Sequence, residues 1–321
     1  MSGSGRQSLN VIETNDLGKR YGRSWVLREC TVAIPAGHLA ALVGPNGAGK
    51  TTLMHLSVGL SLPSAGTATV LGGQGIGSPA ALDGIAFVAQ DAPVYKNMSA
   101  ADMIHLTRNL NRRFDRPYAR ARLAQLGIPL GRKSGKLSGG QRAQLALTLA
   151  LARRPQLLIL DEPLAMLDPV AREDFMATVM TAMADDGISV LLSSHALAEL
   201  ERVADYLVLL SGGQLQVAGE VDDLLGCHRV LTGPAAEADR FAGGAGQARV
   251  VQDRRGGAQA HLLVRTSGPG DPVPPGWEAH PVSLEELVLA YLRAPGAEAR
   301  PDLSLARPAP PGKHEHEEAA R

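Results

Sequence analysis

A glycine-rich loop between a strand-like run and a helix-like run constrains this chain more than any other feature of its sequence. The loop GPNGAGKTT occupies residues 44–52, directly after the apolar run LAALV and at the start of KTTLMHLSVGL. In this strand–loop–helix context, the pattern GxxxxGK[ST] is typical of a loop that binds the phosphate groups of a nucleotide. The alternative is a glycine-rich turn with no ligand, which the flanking pattern disfavours.

The residues of this loop have specific predicted tasks. Glycines allow the backbone to curl so that successive N–H groups point inward at phosphate oxygens, and the positive end of the following helix adds to the attraction. Lys50 is expected to bridge the β- and γ-phosphates of ATP, and Thr51 to offer its hydroxyl to Mg²⁺. The predicted nucleotide-binding residues of the loop are Gly44, Asn46, Gly47, Gly49, Lys50, Thr51 and Thr52.

Five short apolar runs predict the sheet behind this loop. Continuous apolar runs of strand length, separated by helix-length stretches, are typical of strands buried on both faces of a mostly parallel sheet. We therefore predict an α/β core over roughly residues 9–220. Between about residues 99 and 154 the apolar residues recur at helical spacing instead, which predicts a helical insert in that core. The five runs lie at residues 39–43, 85–88, 157–160, 188–193 and 206–210.

An acidic pair follows the third of these runs, in LLILDEP. A strand that ends at Asp161 brings its carboxylate to the carboxyl edge of the sheet, where the ligands of open α/β sheets bind. Asp161 is therefore predicted to coordinate Mg²⁺. Glu162, one residue further on, is predicted to orient and deprotonate the water that attacks the γ-phosphate. An exposed acid after a strand is the alternative, and the accompanying phosphate loop disfavours it.

The pentapeptide LSGGQ occurs twice, and its two copies have different flanks. The copy at residues 137–141 precedes RAQLALTLALARR, a run of good helix formers that stops before Pro155. Ser138 is placed there to cap a helix whose first amide groups can bind an anion. The copy at residues 210–214 lies between the strand-like runs YLVLL and LQVAGE, so it is predicted to form a hairpin turn. We therefore assign only the first copy to the nucleotide.

The bulk composition restricts the partners of the chain. Its 321 residues include 32 Lys+Arg and 32 Asp+Glu, so no global charge attracts it to nucleic acid or to an anionic membrane. The N-terminal segment MSGSGRQSLNVIETND lacks the apolar core of a signal peptide, and the apolar runs are too short to span a bilayer. Cys30 and Cys227 are far apart in sequence, so we expect two buried thiols in a reducing compartment and no disulfide.

The C-terminal third differs in character from the predicted core. The stretches HRVLTGP, ARVVQDRR and AHLLVRT are typical of strands around the short helix AAEADRFA, and a Pro/Gly-rich stretch then precedes the amphipathic segment SLEELVLAYLR. We therefore predict a small α+β domain at residues 221–293. Residues 294–321 carry too little apolar surface to offset chain entropy, so we predict a disordered tail there.

Taken together, these motifs resemble those of the ATP-binding-cassette (ABC) family, specifically the nucleotide-binding subunit of a transporter. The resemblance covers about residues 9–220: GPNGAGKTT is similar to the Walker A motif, LLILDE to Walker B, and the first LSGGQ to the family signature. It implies a P-loop NTPase core with a mostly parallel sheet, an antiparallel β subdomain and a helical insert. It also implies four further site residues, which are Tyr21, Gln90, Asp168 and His195.

The resemblance gives these four residues specific roles. Tyr21 is expected to stack on adenine, Gln90 to contact Mg²⁺ and the attacking water, and His195 to hold the γ-phosphate. Asp168 belongs to the D-loop LAMLDP, in which residues 164–167 lack the hydroxyl or glycine residues often found in the family. Taken alone, each of the four could be a packing or strand-end residue, but their joint order and spacing disfavour that.

The resemblance also implies a homodimer. In the family two cassettes pack head to tail, so that Ser138 and Gly140 of one subunit close on the γ-phosphate bound by the other. ATP with Mg²⁺ is then part of the interface, and hydrolysis removes the contacts that favour the closed dimer. The residues assigned to this second half of the site are Ser138, Gly139, Gly140 and Gln141.

As a transporter subunit, the chain is expected to hydrolyse ATP for a separate transmembrane permease, from the cytoplasmic face of the cell membrane. Tyr95 and Met98, in DAPVYKNMSAADM after Gln90, are candidate contacts for that permease, although apolar residues there could equally belong to a local core. The segment SLEELVLAYLR is similar to the C-terminal extension of bacterial export-type cassettes, which implies export.

Two other functions fit the sequence less well. Soluble ABC ATPases that act on ribosomes carry two cassettes, and those that act on chromosomes have a long coiled coil between the phosphate loop and the signature. This chain has one phosphate loop and no room for such a coil. A small-molecule P-loop kinase would leave the signature helix and His195 unexplained. We therefore expect no nucleic-acid partner.

Overall fold

The structure is a computed structural model. It describes residues 9–90, 94–165, 167–194, 196–242, 249–266 and 273–294. His195, which is expected to hold the γ-phosphate, lies outside the described residues, and so does the predicted disordered tail apart from Ala294. None of the helices in the described ranges is both long and apolar enough to cross a membrane.

Strands and helices alternate through most of the described chain, and a second group of strands and the helix α10 follow. The strands are β1 (Asn10–Tyr21), β2 (Ser24–Pro35), β3 (Leu39–Val43), β4 (Ala65–Val70), β5 (Gln74–Gly75), β6 (Ile85–Val88), β7 (Leu157–Asp161), β8 (Ser189–Ser193), β9 (Tyr206–Ser211), β10 (Gln214–Glu220), β11 (His228–Pro234), β12 (Arg249–Gly256), β13 (Gln259–Arg265) and β14 (Glu278–Pro281). The helices are α1 (Lys50–Ser57), α2 (Pro79–Gly84), α3 (Ala100–Leu110), α4 (Arg116–Gln125), α5 (Gly139–Leu151), α6 (Pro169–Asp186), α7 (Leu197–Leu200), α8 (Val221–Gly226), α9 (Asp239–Ala242) and α10 (Leu284–Arg293).

A six-stranded sheet lies at the centre of the fold, with the strand order β10–β9–β3–β8–β7–β6. Every neighbouring pair is parallel except the hairpin of β9 and β10. Strands β3, β7 and β8 are buried at every residue, as expected of strands that helices cover on both faces. All five apolar runs predicted as strands lie in this sheet, and the α/β fold class is confirmed.

The N-terminal strands form an antiparallel sheet with the order β2–β1–β4–β5. This sheet is the antiparallel subdomain that the family resemblance implied. Leu17 and Leu27 from this sheet share one buried cluster with Leu42 of β3 and Leu53 of α1. Because Leu53 belongs to the helix that begins at the glycine-rich loop, the subdomain packs directly behind the predicted phosphate site.

Helices α3, α4 and α5 occupy the segment for which the sequence predicts a helical insert. Helix α5 contributes to two cores. Leu147 and Leu151 belong to the cluster of the central sheet, whereas Leu145 and Leu149 belong to the cluster formed with α3 and α4. The helix is therefore fixed between the sheet and the insert, and the LSGGQ copy at its N-terminus is held with it.

The C-terminal residues form a sheet with the order β12–β13–β11–β14, of which β14 was not predicted. Helix α10 corresponds to the predicted amphipathic segment. Its Leu287 and Tyr291 belong to the same buried cluster as Leu158 of the central sheet. In addition, the main-chain N–H of Leu284 donates a 3.0 Å hydrogen bond to the carboxylate of Glu201. The C-terminal segment therefore shares a core with the central sheet.

The two cysteines differ in burial. Neither Cys30 nor Cys227 forms a disulfide. Cys30 is fully buried in β2, whereas Cys227 is partly exposed because it lies just beyond the end of the short helix α8. The prediction that both thiols are buried is therefore wrong for Cys227.

Candidate functional site

The glycine-rich loop connects β3 to α1 with little space around it. Gly44 and Gly49 have positive φ angles of 155° and 102°. A Cβ atom at Gly49 would lie 2.6 Å from the side chain of Leu27, and one at Gly44 would meet the carbonyl oxygen of Leu210. Only glycine fits both positions. The glycines at positions 44 and 49 thus follow from the closeness of β9 and β2, respectively.

The N-terminus of α1 has no side-chain cap. Its N-cap residue is Gly49, and no side chain accepts a hydrogen bond from the first turn of the helix. By contrast, α3, α5 and α10 each begin with a serine in a capping box. The first-turn amide groups of α1 and its positive end therefore remain available to phosphate oxygens.

The side chain of Lys50 is buried beside the loop. Its Nζ donates hydrogen bonds to the carbonyl oxygens of Gly44 at 2.8 Å and Pro45 at 3.2 Å. It also lies 3.9 Å from Oε1 of Glu162. Burial lowers the pKa of the Lys50 ammonium, whereas the negative charges of Glu162 and Asp161 raise it. Lys50 thus brings a poorly solvated positive charge to the loop, which suits a phosphate ligand.

Oxygen atoms from α1, β7 and β8 meet beside this lysine. Thr51 Oγ1 donates a 2.8 Å hydrogen bond to Oδ2 of Asp161, and Ser193 Oγ donates a 2.7 Å hydrogen bond to Oδ1. Asp161 is the last residue of β7 and is only 3% exposed. The hydroxyl and the carboxylate that the sequence assigns to Mg²⁺ are therefore in direct contact.

Glu162, the residue after the end of β7, has a rare backbone conformation. Its φ angle is 47°, which is unusual for a residue other than glycine. Its Oε2 accepts a 3.3 Å hydrogen bond from Nε2 of Gln90. The structure therefore brings together five predicted site residues from three separate segments of the chain. These residues are Lys50, Thr51, Gln90, Asp161 and Glu162.

A cleft of 460 Å³ opens in front of the loop, and one of its lining residues, Val26, was not predicted. Val26 neighbours Leu27 in β2, and Leu27 is fully buried, so the alternation of a strand turns Val26 toward the cleft. The sequence could have indicated that Val26 faces away from the core. Trp25, Val26 and Leu27 are consecutive apolar residues, and one face of a strand cannot bury all three. The lining residues are Val26, Asn46, Gly47, Gly49, Lys50, Thr51, Thr52, Gln90 and Glu162.

Tyr21 is not among the residues that line this cleft. It ends β1, is 51% exposed, and pairs with Ser24 across the hairpin to β2. The ammonium nitrogen of Lys19 lies 5.1 Å from the centroid of its ring. The ring is thus accessible on the sheet that also carries Val26, and its stacking on adenine stays a prediction.

The first copy of LSGGQ begins α5, as predicted. The main-chain N–H of Gln141 donates to Ser138 Oγ, and the N–H of Ser138 donates to Gln141 Oε1, each at 3.2 Å. Gly140 packs against α6, where a Cβ atom would come within 3.2 Å of Ala171. None of the residues 138–141 lines the 460 Å³ cleft. A single chain therefore does not bring its two predicted anion sites together.

The second copy of LSGGQ forms the turn between β9 and β10, and the hairpin prediction is confirmed. Gly212 and Gly213 have φ angles of 57° and 78°, as a two-residue hairpin turn of this kind requires. The carbonyl of Gly213 accepts a 2.8 Å hydrogen bond from the N–H of Arg28, and a Cβ atom at Gly213 would lie 2.5 Å from the carbonyl oxygen of Val26. This copy supports β2 and begins no helix.

The predicted D-loop residue Asp168 is the N-cap of α6. Its Oδ1 accepts a 2.9 Å hydrogen bond from the N–H of Ala171. Arg172, also in the first turn of α6, donates to the carbonyl of Leu167 at 3.0 Å and to the carboxylate of Glu199 at 2.9 Å. The D-loop is therefore linked to α7, which follows His195 along the chain.

The donor set suits Mg²⁺ that arrives with a nucleotide. Mg²⁺ prefers oxygen ligands and is usually bound through one or two carboxylates plus substrate phosphates. Within the ranges that the structure describes, no group of three or more His, Cys, Asp or Glu side chains could hold a metal ion. The hydroxyl of Thr51, the carboxylate of Asp161 and the amide of Gln90 therefore fit a metal whose remaining ligands come from phosphates.

Curated relatives share this region of the chain. Residues 27–165 match a family model described as ABC transporter. The sulfate/thiosulfate import ATP-binding protein CysA of Yersinia pseudotuberculosis is 33% identical over 66% of this chain and 61% of its own length. The ABC transporter ATP-binding protein YtrB of Bacillus subtilis is 29% identical over 67% of this chain and 73% of its own length.

A solved structure described as the ATP-binding subunit of an ABC transporter has the same fold. It superposes with a TM-score of 0.60 and 27% identity, over 67% of this chain and 91% of that chain. The chain spans only 61% of the length of the CysA relative. The likeness thus covers the α/β core with its antiparallel subdomain and helical insert.

Proposed function

We propose that the chain belongs to the ABC transporter family, whose model matches residues 27–165, and that it is the ATP-binding and ATP-hydrolysing subunit of a transporter. The observation that carries the proposal is the convergence of Lys50, Asp161 and Glu162 beside the uncapped start of α1. The lysine and the first-turn amides can hold phosphates, while one carboxylate can serve a metal and the other a water molecule.

Glu162 is the proposed general base of the hydrolysis. Gln90 Nε2 holds one oxygen of its carboxylate, and Lys50 Nζ faces the other oxygen at 3.9 Å. Two neighbours thereby set the orientation of the base, which matters because the water must be aligned with the γ-phosphate before its proton is taken. His195, in the segment that follows β8, is proposed to hold the γ-phosphate itself.

Thr51 and Asp161 are the proposed ligands of Mg²⁺, with Gln90 as a third contact. When bound with ATP, Mg²⁺ neutralises the charge that develops on the β- and γ-phosphate oxygens. Thr51 Oγ1 and Asp161 Oδ2 lie 2.8 Å apart, so α1 and β7 already present both oxygens at one place. Their shared hydrogen bond also holds Asp161 in position before the nucleotide arrives.

The proposed active form is an ATP-bound homodimer. The N-terminus of α5 is a predicted anion site, yet its residues do not line the cleft of their own chain. A second copy in head-to-tail orientation would supply them across the interface. The residues that each copy would lend to its partner's nucleotide are Ser138, Gly139, Gly140 and Gln141.

A separate membrane-spanning partner is proposed to dock on the groove between the central sheet and the helical insert. This groove has a volume of 470 Å³ and is lined mainly by apolar side chains, among them Phe87 and Leu149. Tyr95 follows the lining residue Val94 and is 64% exposed, which suits a contact residue. Met98 instead packs against the core of the insert, so the local-core alternative applies to it.

Export is the finer part of the proposal, and it is supported only by the similarity of the α10 sequence to the C-terminal extension of export-type cassettes. The CysA relative is an import protein by its name, so likeness in the ATP-binding domain carries no direction of transport. Vesicles that contain the chain and its membrane partner would separate the two directions. ATP-driven accumulation on the side that carries the ATP-binding subunit would overturn export.

Copurification and ATP hydrolysis test the general proposal. The full chain should copurify with a polytopic membrane protein, and the complex should hydrolyse ATP only when Mg²⁺ is present. Copurification with ribosomes in place of a membrane protein would overturn the transport function. A membrane complex that binds ATP and Mg²⁺ without hydrolysing ATP would overturn the assignment of Glu162.

A further inference from the structure

Ser193 ends β8, between the two strands that carry the site. Its Cα is paired with that of Asp161 on β7 and with that of Leu42 on β3, the strand that leads into the glycine-rich loop. The side chain is fully buried. None of the motifs described above gives Ser193 a role, so its contacts with the site require a separate explanation.

The hydroxyl of Ser193 contacts both acidic residues of the site. Oγ donates a 2.7 Å hydrogen bond to Oδ1 of Asp161 and accepts a 2.8 Å hydrogen bond from the main-chain N–H of Glu162. A serine hydroxyl has one proton to donate and lone pairs to accept, so both bonds form at the same time. The bond to the carboxylate is charge-assisted and is therefore the stronger of the two.

The bond to Glu162 supports an unfavourable backbone conformation. The chain leaves β7 with a φ angle of 47° at Glu162, and such conformations persist only when the surrounding structure holds them. The Ser193 hydroxyl satisfies the N–H at this point. It thereby supports the turn that brings the Glu162 side chain to Gln90 and Lys50.

The bond to Asp161 fixes one oxygen of a carboxylate whose other oxygen is held by Thr51. Thr51 is itself a proposed Mg²⁺ ligand, so its hydroxyl must also turn a lone pair toward the metal. Ser193 is fully buried and bonds the other carboxylate oxygen, Oδ1, and it is not itself a proposed metal ligand. Its hydrogen bond can therefore keep Asp161 oriented while Thr51 turns to the metal.

We propose that Ser193 is a positioning residue, which sets the orientation of the metal-binding Asp161 and of the base Glu162. This inference rests on the proposed function. Loss of the partner that orients a metal ligand typically weakens metal binding about ten- to a hundredfold. We expect Ser193→Ala to weaken the binding of Mn²⁺ to the nucleotide-loaded chain about tenfold. Nucleotide binding without metal should be unchanged, because Lys50 and the loop are untouched.

Ser189 offers a matched control at the opposite end of the same strand. It is also buried, and its hydroxyl accepts a 2.8 Å hydrogen bond from the main-chain N–H of Gly37. Ser189→Ala therefore removes the hydroxyl of another buried serine of β8, and its hydrogen bond, without touching either carboxylate. A change in Mn²⁺ affinity that comes only from the loss of a serine hydroxyl in β8 would appear in both variants.

The test titrates Mn²⁺ into the full chain loaded with a non-hydrolysable ATP analogue and follows free Mn²⁺ by electron paramagnetic resonance. Melting temperatures of both variants show that each is folded. We expect weaker Mn²⁺ binding for Ser193→Ala and wild-type binding for Ser189→Ala. Equal Mn²⁺ affinities in the two variants would overturn the inference and leave the proposed function standing.

Two further outcomes are distinguishable. If the wild-type chain binds no Mn²⁺ together with the nucleotide analogue, the proposed function itself fails. If Ser193→Ala does not fold, Ser193→Cys provides the same comparison, since a thiol is similar in size and only a weak donor. Wild-type Mn²⁺ affinity in a folded Ser193→Cys variant would then count against the positioning role.

Discussion

The side-chain amide of Gln90 donates a 3.3 Å hydrogen bond to the carboxylate of Glu162, from a position 72 residues away in the sequence. On its other side the same carboxylate faces Lys50 Nζ at 3.9 Å. The proposed base is therefore oriented by a glutamine and a lysine that belong to two other segments. Removal of its negative charge should affect the chemistry more than the fold.

Glu162→Gln should keep ATP binding and nearly abolish turnover. The amide has the size of the carboxylate but cannot take the proton of the attacking water, so kcat should fall about 10²- to 10⁴-fold. Without hydrolysis the ATP-bound homodimer should persist, which size-exclusion chromatography with Mg²⁺ and ATP would detect. Glu173→Gln changes an exposed acid on α6 and serves as the control. Unimpaired hydrolysis in Glu162→Gln would refute the base assignment.

Lys50→Ala should weaken nucleotide binding itself. The substitution removes the positive charge beside the loop and the hydrogen bonds to Gly44 and Pro45. Loss of the hydrogen bond that the charged Lys50 is proposed to donate to a phosphate costs about 1.5–3 kcal/mol, so the Kd for ATP should rise about ten- to a hundredfold. Titration with a fluorescent ATP analogue measures this Kd, and the exposed Lys133→Ala is the control. An unchanged Kd would contradict the placement of phosphates at this loop.

Ser138→Ala and Ser283→Ala should reduce stability alike but differ in dimerisation. Each serine is the N-cap of a capping box, with Gln141 and Glu286 respectively, and loss of such a cap costs about 1 kcal/mol. Only Ser138 is proposed to contact the nucleotide of a second chain. Introduced into the Glu162→Gln variant, only Ser138→Ala should weaken the ATP-dependent dimer. Equal dimerisation in both double variants would argue against a shared site.

Leu287→Ala should destabilise the whole chain rather than the C-terminal segment alone. Leu287 of α10 is fully buried in the same cluster as the central sheet. Truncation of a buried leucine typically costs about 2–5 kcal/mol. Urea unfolding measures the change, and Leu110→Ala, at a residue that is 74% exposed, should cost almost nothing. Unfolding of α10 in a separate first step, with ATP binding retained, would contradict a common core.

His228 should make stability depend on pH. It is buried between the Tyr291 hydroxyl, 2.7 Å from Nε2, and the Leu224 carbonyl, 2.6 Å from Nδ1. Burial lowers the pKa of His228; the Leu224 carbonyl raises this pKa, and the charge of Arg265 lowers it. Its pKa in the folded state thus lies below the ordinary value of 6.5. Because the unfolded chain takes up the proton first, this stabilising contribution is complete above that value and is lost as the pH falls.

Urea unfolding between about pH 5 and pH 8 measures this effect. The free energy of unfolding of the wild-type chain should decline on the acid side of the range. His228→Gln has no titrating ring, so its free energy of unfolding should vary less with pH. An identical pH dependence in the variant would assign the effect to other groups.

The parts of the site that local patterns determine were predictable from the sequence. The glycine-rich loop, the strand that ends at Asp161 and the helix that follows Ser138 each depend mainly on residues adjacent in the chain. Contacts between distant segments were not predictable in this way. Val26 reaches the cleft through the position of β2, and Ser193 reaches Asp161 through the parallel register of β7 and β8.

The position of α10 was likewise not predictable from the sequence. The apolar stripe of SLEELVLAYLR predicted an amphipathic helix, but such a stripe indicates only that one face is covered and not by what. Helix α10 contacts α7 and β12, and Leu200 of α7 and Val251 of β12 belong to the same buried cluster as α10. These residues are far from α10 in sequence, and only the folded chain brings them to it.

The hairpin turn at Gly212 and Gly213 has the same five-residue sequence, LSGGQ, as the start of α5, so one pentapeptide adopts two structures in this chain. A search for the pentapeptide would find two copies, whereas only the copy at α5 is proposed to contact a nucleotide. The two copies differ in the stretch that follows them, which is RAQLALTLALARR after the copy at α5 and LQVAGE after the copy in the hairpin. An engineer who wished to relocate this contact would have to transplant the following helix, because the pentapeptide is already present at the second location.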